Sequence, residues 1–214
     1  MSATLLFVRH GQNPANVTGQ LSHRHVDLSL NDVGRCQARA VAAHLAAGEE
    51  GQIDALFSSP LRRARETAEV IGLALGLETT VIEGLRELDV GDLEGRSDEE
   101  AWRLHDAVDA EWLEGREGAF PGGEDLPTFL ARFRAAVAAI AEAVPGGRAV
   151  VVGHGGFLRI GMANVFRLPG AAPMTDAIGN CSILELELTG SGSDLSGRVV
   201  GWARIDHLLA LDPA

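Results

Sequence analysis

The chain has 214 residues, 46% of them hydrophobic and 22% charged, with a formal net charge of −12. These values fit one domain with a sizeable core and exclude a disordered, collagen-like or disulfide-dense chain. All eighteen basic residues are Arg, which removes a Walker-type phosphate loop and Schiff-base chemistry, since both require Lys.

Further expectations follow from what the chain lacks. No apolar run approaches the ~20 residues of a membrane span, and Leu5–Val8 is too short for a signal peptide. Only Cys36 and Cys181 occur, with no CxxC pair, so a reduced, cytoplasmic protein is expected. An acidic chain without a basic stripe repels nucleic acid.

In chain order, Thr4–Val8 is a short apolar run that predicts a buried strand. Asn31 caps a helix to about Ala47. Ile53–Phe57 is a second strand, and Ser59 and Pro60 open a helix to about Leu75 at the cap and first position. Thr79–Ile82 is a third strand, followed by a Gly-punctuated loop to Gly95. Ser97 and Glu100 stand at capping-box spacing before a helix to about Leu113. After a loop at 118–123, a helix from about Leu126 to Val144 lines up Phe129, Phe133, Val137 and Ile140.

Arg148–Val152 is another buried strand, followed by a helix from about Phe157 to Phe166. Ser182–Leu188 alternates as a half-exposed edge strand does, and a Gly/Ser turn at 190–197 returns it as a strand near Val199–Ile205. Strands alternating with helices predict a three-layer α/β/α domain over residues 1–214, with a mostly parallel sheet and an antiparallel edge. The apolar face near 183–188 leaves a homodimer open beside a monomer.

Negative charge is concentrated. Residues 87–125 hold fourteen carboxylates against Arg96, Arg103 and Arg116, which accounts for −11 of the net −12. Such a run reads as a solvated helical excursion. It is also compatible with a lid or insertion over a site, at about residues 96–124.

Two strands end alike, in Arg9-His10-Gly11 and in Gly153-His154-Gly155. Open α/β sheets bind ligands outside the carboxyl ends of their strands, so two His delivered there beside Gly mark a site. The second strand leads into Arg62, Arg63 and Arg65, of which Arg62 and Arg65 read as solvated. Leu85-Arg86-Glu87 follows the third strand. The expected rim is therefore Arg9, His10, Arg63, Glu87 and His154.

Three chemistries fit these residue types. Two His and a Glu could hold zinc, although neighbouring guanidinium groups repel a cation and no ligand spacing supports it. Ser58 or Ser59 could act as nucleophile with a His base, but neither has a nucleophile elbow. The best fit needs no cofactor: Arg9 and Arg63 clamp a phosphoryl group, and neutral His10 attacks phosphorus. His154, as cation or donor, stabilises the phosphoryl oxygens, while Glu87 protonates the leaving oxygen and later activates water.

These residues resemble the histidine phosphatase superfamily, the phosphoglycerate mutase-like proteins. Arg9-His10-Gly11-Gln12 with Asn16 is similar to its opening signature. Ser58-Ser59-Pro60-Leu61-Arg62-Arg63-Ala64 with Glu66-Thr67-Ala68 is similar to its second motif. Leu85-Arg86-Glu87 through Gly95 resembles the proton-donor segment, and Gly153-His154-Gly155-Gly156 the segment with the second catalytic His. The resemblance implies phosphorylation of His10, phosphate binding by Arg9, Gln12, Asn16, Arg63, His154 and Gly155, and proton donation by Glu87. His23, Arg24 and His25 are candidate pocket residues in the first loop, and His23 is carried as a substrate contact. His44, His105 and His207 receive no role.

Mutases of the family resemble one another in a basic, proline-rich stretch after the proton donor. Here that region is acidic, and Phe120-Pro121-Gly122-Gly123-Glu124 resembles the phosphatase members. A small phosphorylated substrate and hydrolysis are therefore expected. Mutase activity and non-catalytic phosphate binding stand as the alternatives.

Overall fold

The structure is a computed structural model that describes residues 2–166 and 178–209. Six strands form one sheet in the order β3-β2-β4-β1-β5-β6. They are β1 (Ser2–Arg9), β2 (Ala55–Ser58), β3 (Thr79–Val81), β4 (Arg148–Gly153), β5 (Ile183–Thr189) and β6 (Ser196–Arg204). The β1/β4, β4/β2 and β2/β3 pairs are parallel, whereas β5 and β6 are antiparallel. The helices are α1 (Pro14–Thr18), α2 (Asp32–Ala46), α3 (Arg62–Leu75), α4 (Glu99–Leu113), α5 (Leu126–Ala143) and α6 (Gly155–Val165). Among the described residues no helix is long and apolar enough to cross a membrane.

The period-2 alternation of β1 divides the core. Leu5 and Phe7 face a cluster with Phe129, Phe133 and Phe157 of α5 and α6. Leu6 and Val8 face the opposite cluster, with Val41, Leu45 and Ile71 of α2 and α3. All four β1 residues are fully buried, each contributing about 1.5–3 kcal/mol of transfer free energy. A strand covered on both faces reads as a continuous apolar run, as Leu5–Val8 does.

Several sequence expectations change. β5 lies between β1 and β6, so the edge is β6, and the apolar residues near 183–188 are buried against their neighbours. That face is not available for a dimer. Asp98, not Ser97, caps α4, accepting from Ala101 N–H at 3.1 Å. Helix α3 starts at Arg62 after an extended Leu61 with no side-chain cap, so Ser59 and Pro60 precede it. Ser59 Oγ still accepts from Leu61 N–H at 3.3 Å. Helix α6 begins two residues earlier than expected, directly behind His154.

The sequence reading also missed α1. Asn13 and Asn16 cap it reciprocally, each side chain accepting the other's N–H at 3.0 Å. The partner at the third helical position is Asn rather than the usual Glu or Gln, which hid the motif.

Much of the acidic stretch is exposed, Glu99, Glu100, Asp106, Glu114 and Glu117 among it, but Glu94, Asp109 and Glu124 are held within the fold. Glu94 accepts the N–H groups of His23, Arg24 and Val26 at 2.7, 3.0 and 3.2 Å. Buried Glu124 pairs with Arg24 at 3.1 Å and Arg132 at 2.7 Å, and buried Asp109 pairs with Arg159. The segment is anchored through Trp112, fully buried against Phe120 and Phe129.

Candidate active site

The parallel register of β1 and β4 brings the two matched strand ends together, with Arg9 opposite Gly153. His10 and His154 therefore leave adjacent strands at one edge of the sheet, their ring centroids 5.3 Å apart. Both are buried, at 3% and 0% exposure. Here lies a cleft of about 500 Å³, bordered by Arg9, His10, Arg63, Glu87 and Gly155.

The protonation of His10 follows from its two contacts. Arg63 Nε, always a donor, points at His10 Nε2 from 3.1 Å, so Nε2 presents its lone pair. Nδ1 then carries the proton and donates to the Gly11 carbonyl at 2.8 Å. Burial, with Arg63 and Arg9 next in weight, holds the His10 pKa well below its ordinary value of 6.5. His10 is thus neutral with a directed Nε2 lone pair. The loop is held in turn: Gly11 N–H donates to Thr67 Oγ1 at 3.0 Å, and Thr67 donates to the Arg63 carbonyl at 2.8 Å.

The surrounding cations have unused donors. Arg9 donates through Nη1 to the Ile178 carbonyl, and Arg63 through Nη2 to the His23 carbonyl at 2.9 Å. Arg9 Nε, Arg63 Nη1 and His154 Nδ1 are buried and have no hydrogen-bond partner. Buried donors left unmet are costly, and the two guanidinium N–H groups, on side chains that border the cleft with His10, define a place for an anion with several acceptor oxygens.

His154 was open to two roles, cation or donor. Burial, followed by the charge of Arg63, keeps its pKa well below 6.5, which selects the neutral donor. Its Nε2 lies 2.7 Å from Ser59 Oγ. An acceptor oxygen satisfies Nδ1 only if Nδ1 bears the proton, with Ser59 donating to Nε2. Ser59 therefore orients His154, and its own hydroxyl is fully buried. Ser58 Oγ is likewise occupied, donating to the Ser59 carbonyl at 2.8 Å.

Glu87 is held by three backbone N–H groups: Leu88 and Phe157 on Oε1 at 3.0 and 2.6 Å, and Gly156 on Oε2 at 3.1 Å. The last two belong to the first turn of α6, so the helix behind His154 also fixes this carboxyl group. Among the described residues, no group of three or more His, Cys, Asp and Glu converges in a metal-holding cluster.

The remaining candidates separate clearly. Asn16 and His23 line the cleft. Gln12 does not: its Oε1 accepts from Asn31 Nδ2 at 2.9 Å, which turns the side chain toward the start of α2. Arg24 braces the loop, donating through Nε to the Glu87 carbonyl at 3.0 Å. His25, Arg62 and Arg65 are exposed. His44 and His207 stack on each other with centroids 5.1 Å apart, and neither lines the cleft. His105, given no role from sequence, lines the cleft with its ring 5.4 Å from that of His23.

Asn180 also lay outside the sequence reading. Its Nδ2 donates to the His10 carbonyl at 2.9 Å and to Asn16 Oδ1 at 3.2 Å. No strand end or motif surrounds it, so only the tertiary structure shows its place.

Comparison with known proteins agrees with this geometry. Residues 5–200 match the histidine phosphatase superfamily, branch 1. The chain belongs to that family, and its enzyme class is the histidine-type phosphatase. A probable phosphoglycerate mutase of Salmonella newport is 33% identical over 94% of this chain and 93% of its own. Phosphoglycerate mutase-like protein 4 of Arabidopsis thaliana is 36% identical over 73% of this chain and 68% of its own. Among solved structures, mycobacterial glucosyl-3-phosphoglycerate phosphatase superposes with a TM-score of 0.77 at 32% identity, covering 96% of this chain and 100% of that one.

Proposed function

We propose that the chain hydrolyses a small phosphomonoester without a metal, through a phosphohistidine on His10. The observation that carries this reading is the fixed lone pair of His10 Nε2 beside the unpartnered buried donors of Arg9 and Arg63. Arg63 Nε turns from His10 Nε2 to a phosphoryl oxygen, and the freed lone pair attacks phosphorus as the bond from phosphorus to the leaving oxygen breaks. Arg9, Arg63 and His154 stabilise the charge on the phosphoryl oxygens, and Glu87 delivers the proton to the departing oxygen. Water then attacks the phosphohistidine, giving its proton to Glu87, and the nitrogen–phosphorus bond breaks to free inorganic phosphate.

The names of the Salmonella and Arabidopsis relatives favour a second reading, transfer of a phosphoryl group in the manner of a phosphoglycerate mutase. The mycobacterial structures favour hydrolysis. One experiment separates the two: phosphate release from a panel of phosphomonoesters in excess EDTA, for the wild type and His10→Ala. Turnover that resists EDTA and disappears in His10→Ala is expected. Turnover that needs a bisphosphorylated primer would make the protein a mutase, and turnover that survives the substitution would place the nucleophile elsewhere.

A further inference from the structure

Beyond the phosphoryl end, the cleft continues along α4 and the first loop, where no catalytic group lies. Two buried polar atoms there are as unsatisfied as those around His10: Asp109 Oδ1 and His23 Nδ1. Asp109 is only 6% exposed, and its other oxygen is taken by Arg159. Arg159, which also lines the cleft, uses Nη2 for that carboxylate and keeps its other N–H groups for a ligand. The polar lining of the cleft also includes the neutral side chains of Gln20 and Ser22 in the first loop. Trp102 lines the cleft too, with its Nε1 donating to the Gly19 carbonyl at 2.6 Å.

A carboxylate oxygen without a partner accepts hydrogen bonds and repels anions, so it calls for a donor on the ligand. His23 is neutral, because burial and then His105 push its pKa down to about 3; its Nδ1 pairs with a donor or an acceptor according to tautomer. A hydroxyl group suits both atoms, since it donates and accepts. The cleft, at about 500 Å³, is within the range of about 300–1,000 Å³ that encloses whole small-molecule ligands and is far larger than a phosphate requires.

Resting on the phosphatase reading above, we infer that the leaving group is a polyhydroxylated alcohol of sugar type, with one hydroxyl donating to Asp109 Oδ1 and another paired with His23. Asp109 and His23 then determine specificity and do not take part in the chemistry.

The test compares a hexose 6-phosphate with cyclohexylmethyl phosphate, which has similar shape and lacks the ring oxygen and hydroxyls. Sites that hydrogen-bond a substrate hydroxyl reject an analogue lacking it far more strongly than apolar pockets discriminate a methylene. The wild type is expected to favour the sugar phosphate by at least about tenfold in kcat/KM, mainly through KM. Asp109→Asn is expected to lower that ratio by about tenfold or more. If Asp109→Asn does not fold, His23→Phe reads the same ratio. Equal use of the two substrates by the wild type, or a ratio unchanged in the variants, overturns the assignment while the phosphatase reading stands. Release from neither, with release from another phosphomonoester of the panel, overturns the assignment alone; release from none overturns both.

Discussion

Arg63 Nε lies 3.1 Å from His10 Nε2, so the guanidinium that contacts the proposed nucleophile adds to burial, the larger cause, in keeping it unprotonated. Two effects of one side chain can be separated by substitution. In Arg63→Ala the cation is gone, the His10 pKa rises toward 6.5, and the acid limb of kcat/KM moves to higher pH. Activity falls by about 10²–10³-fold as a transition-state donor is lost. Arg63→Lys retains charge without the planar fork, so its activity falls while the acid limb stays lower than in Arg63→Ala. Acid limbs that coincide in all three proteins would show that Arg63 does not set the His10 pKa.

Glu87→Gln tests proton delivery through the leaving group. An alkoxide needs the proton and a nitrophenolate needs little help, so kcat/KM, which excludes the later hydrolysis shared by both substrates, should drop by about 10²–10⁴-fold for alkyl phosphates. The drop for p-nitrophenyl phosphate should be much smaller. Equal losses on the two substrates would mean that Glu87 acts by holding Gly156 and Phe157 in place.

The buried histidines make stability depend on pH. Folded His10, His154 and His23 resist protonation below pH 6.5, where the unfolded chain takes up protons on all three. Protons therefore favour unfolding. The contribution is intact above pH 6.5 and is lost as pH falls, continuing for His23 to about pH 3. Each buried ring contributes a slope of up to about 1.4 kcal/mol per pH unit. Urea unfolding at about pH 7.5 and about pH 5 should show a lower midpoint in acid with similar m. Equal midpoints would mean that the rings are protonated in the folded protein.

Gly11 and Gly34 meet backbone to backbone. A Cβ on Gly11 would stand 2.5 Å from the Gly34 carbonyl oxygen, and one on Gly34 would overlap the Gln12 carbonyl oxygen and lie 2.7 Å from Gln12 N. No side chain is available to move aside. Gly34→Ala should therefore cost about 1–3 kcal/mol and also lower kcat by shifting the loop that carries His10. Chemical denaturation and steady-state kinetics measure the two effects; an unperturbed variant would show that the helix start yields freely.

The grouping of the candidate residues at one end of the sheet was readable in the sequence for a physical reason. Arg9, His10 and His154 follow short apolar runs whose burial forces their strand ends to a common edge. Arg63 and Glu87 follow the same logic at the neighbouring strands. The side-chain directions were not readable. Gln12 follows His10 by two residues yet turns to Asn31, because the backbone at Gly11 changes course against Gly34. Ser59 has the composition of a helix cap, but its hydroxyl is needed by His154, distant in sequence. Asp109 read as solvated charge on an acidic helix and His105 received no role, whereas the helix buries both on one face with Ala101 and Trp112.

The parallel pairing of β1 with β4 has a consequence for how the protein is made. A ribosome releases Arg9 and His10 long before it has synthesised Gly153 and His154, and the register joining them cannot close in the interval. A truncated chain ending before β4 would carry the nucleophile but lack the strand that seats it. Such non-local closure slows folding. It also ties phosphoryl chemistry to completion of the sheet: Arg9 and Arg63, which in isolation are no more than two exposed cations, become an anion receptor only when the last parallel strand is inserted between β1 and β2. Catalytic competence should therefore appear late in synthesis and all at once, and interrupted translation products should be inert toward phosphorylated metabolites.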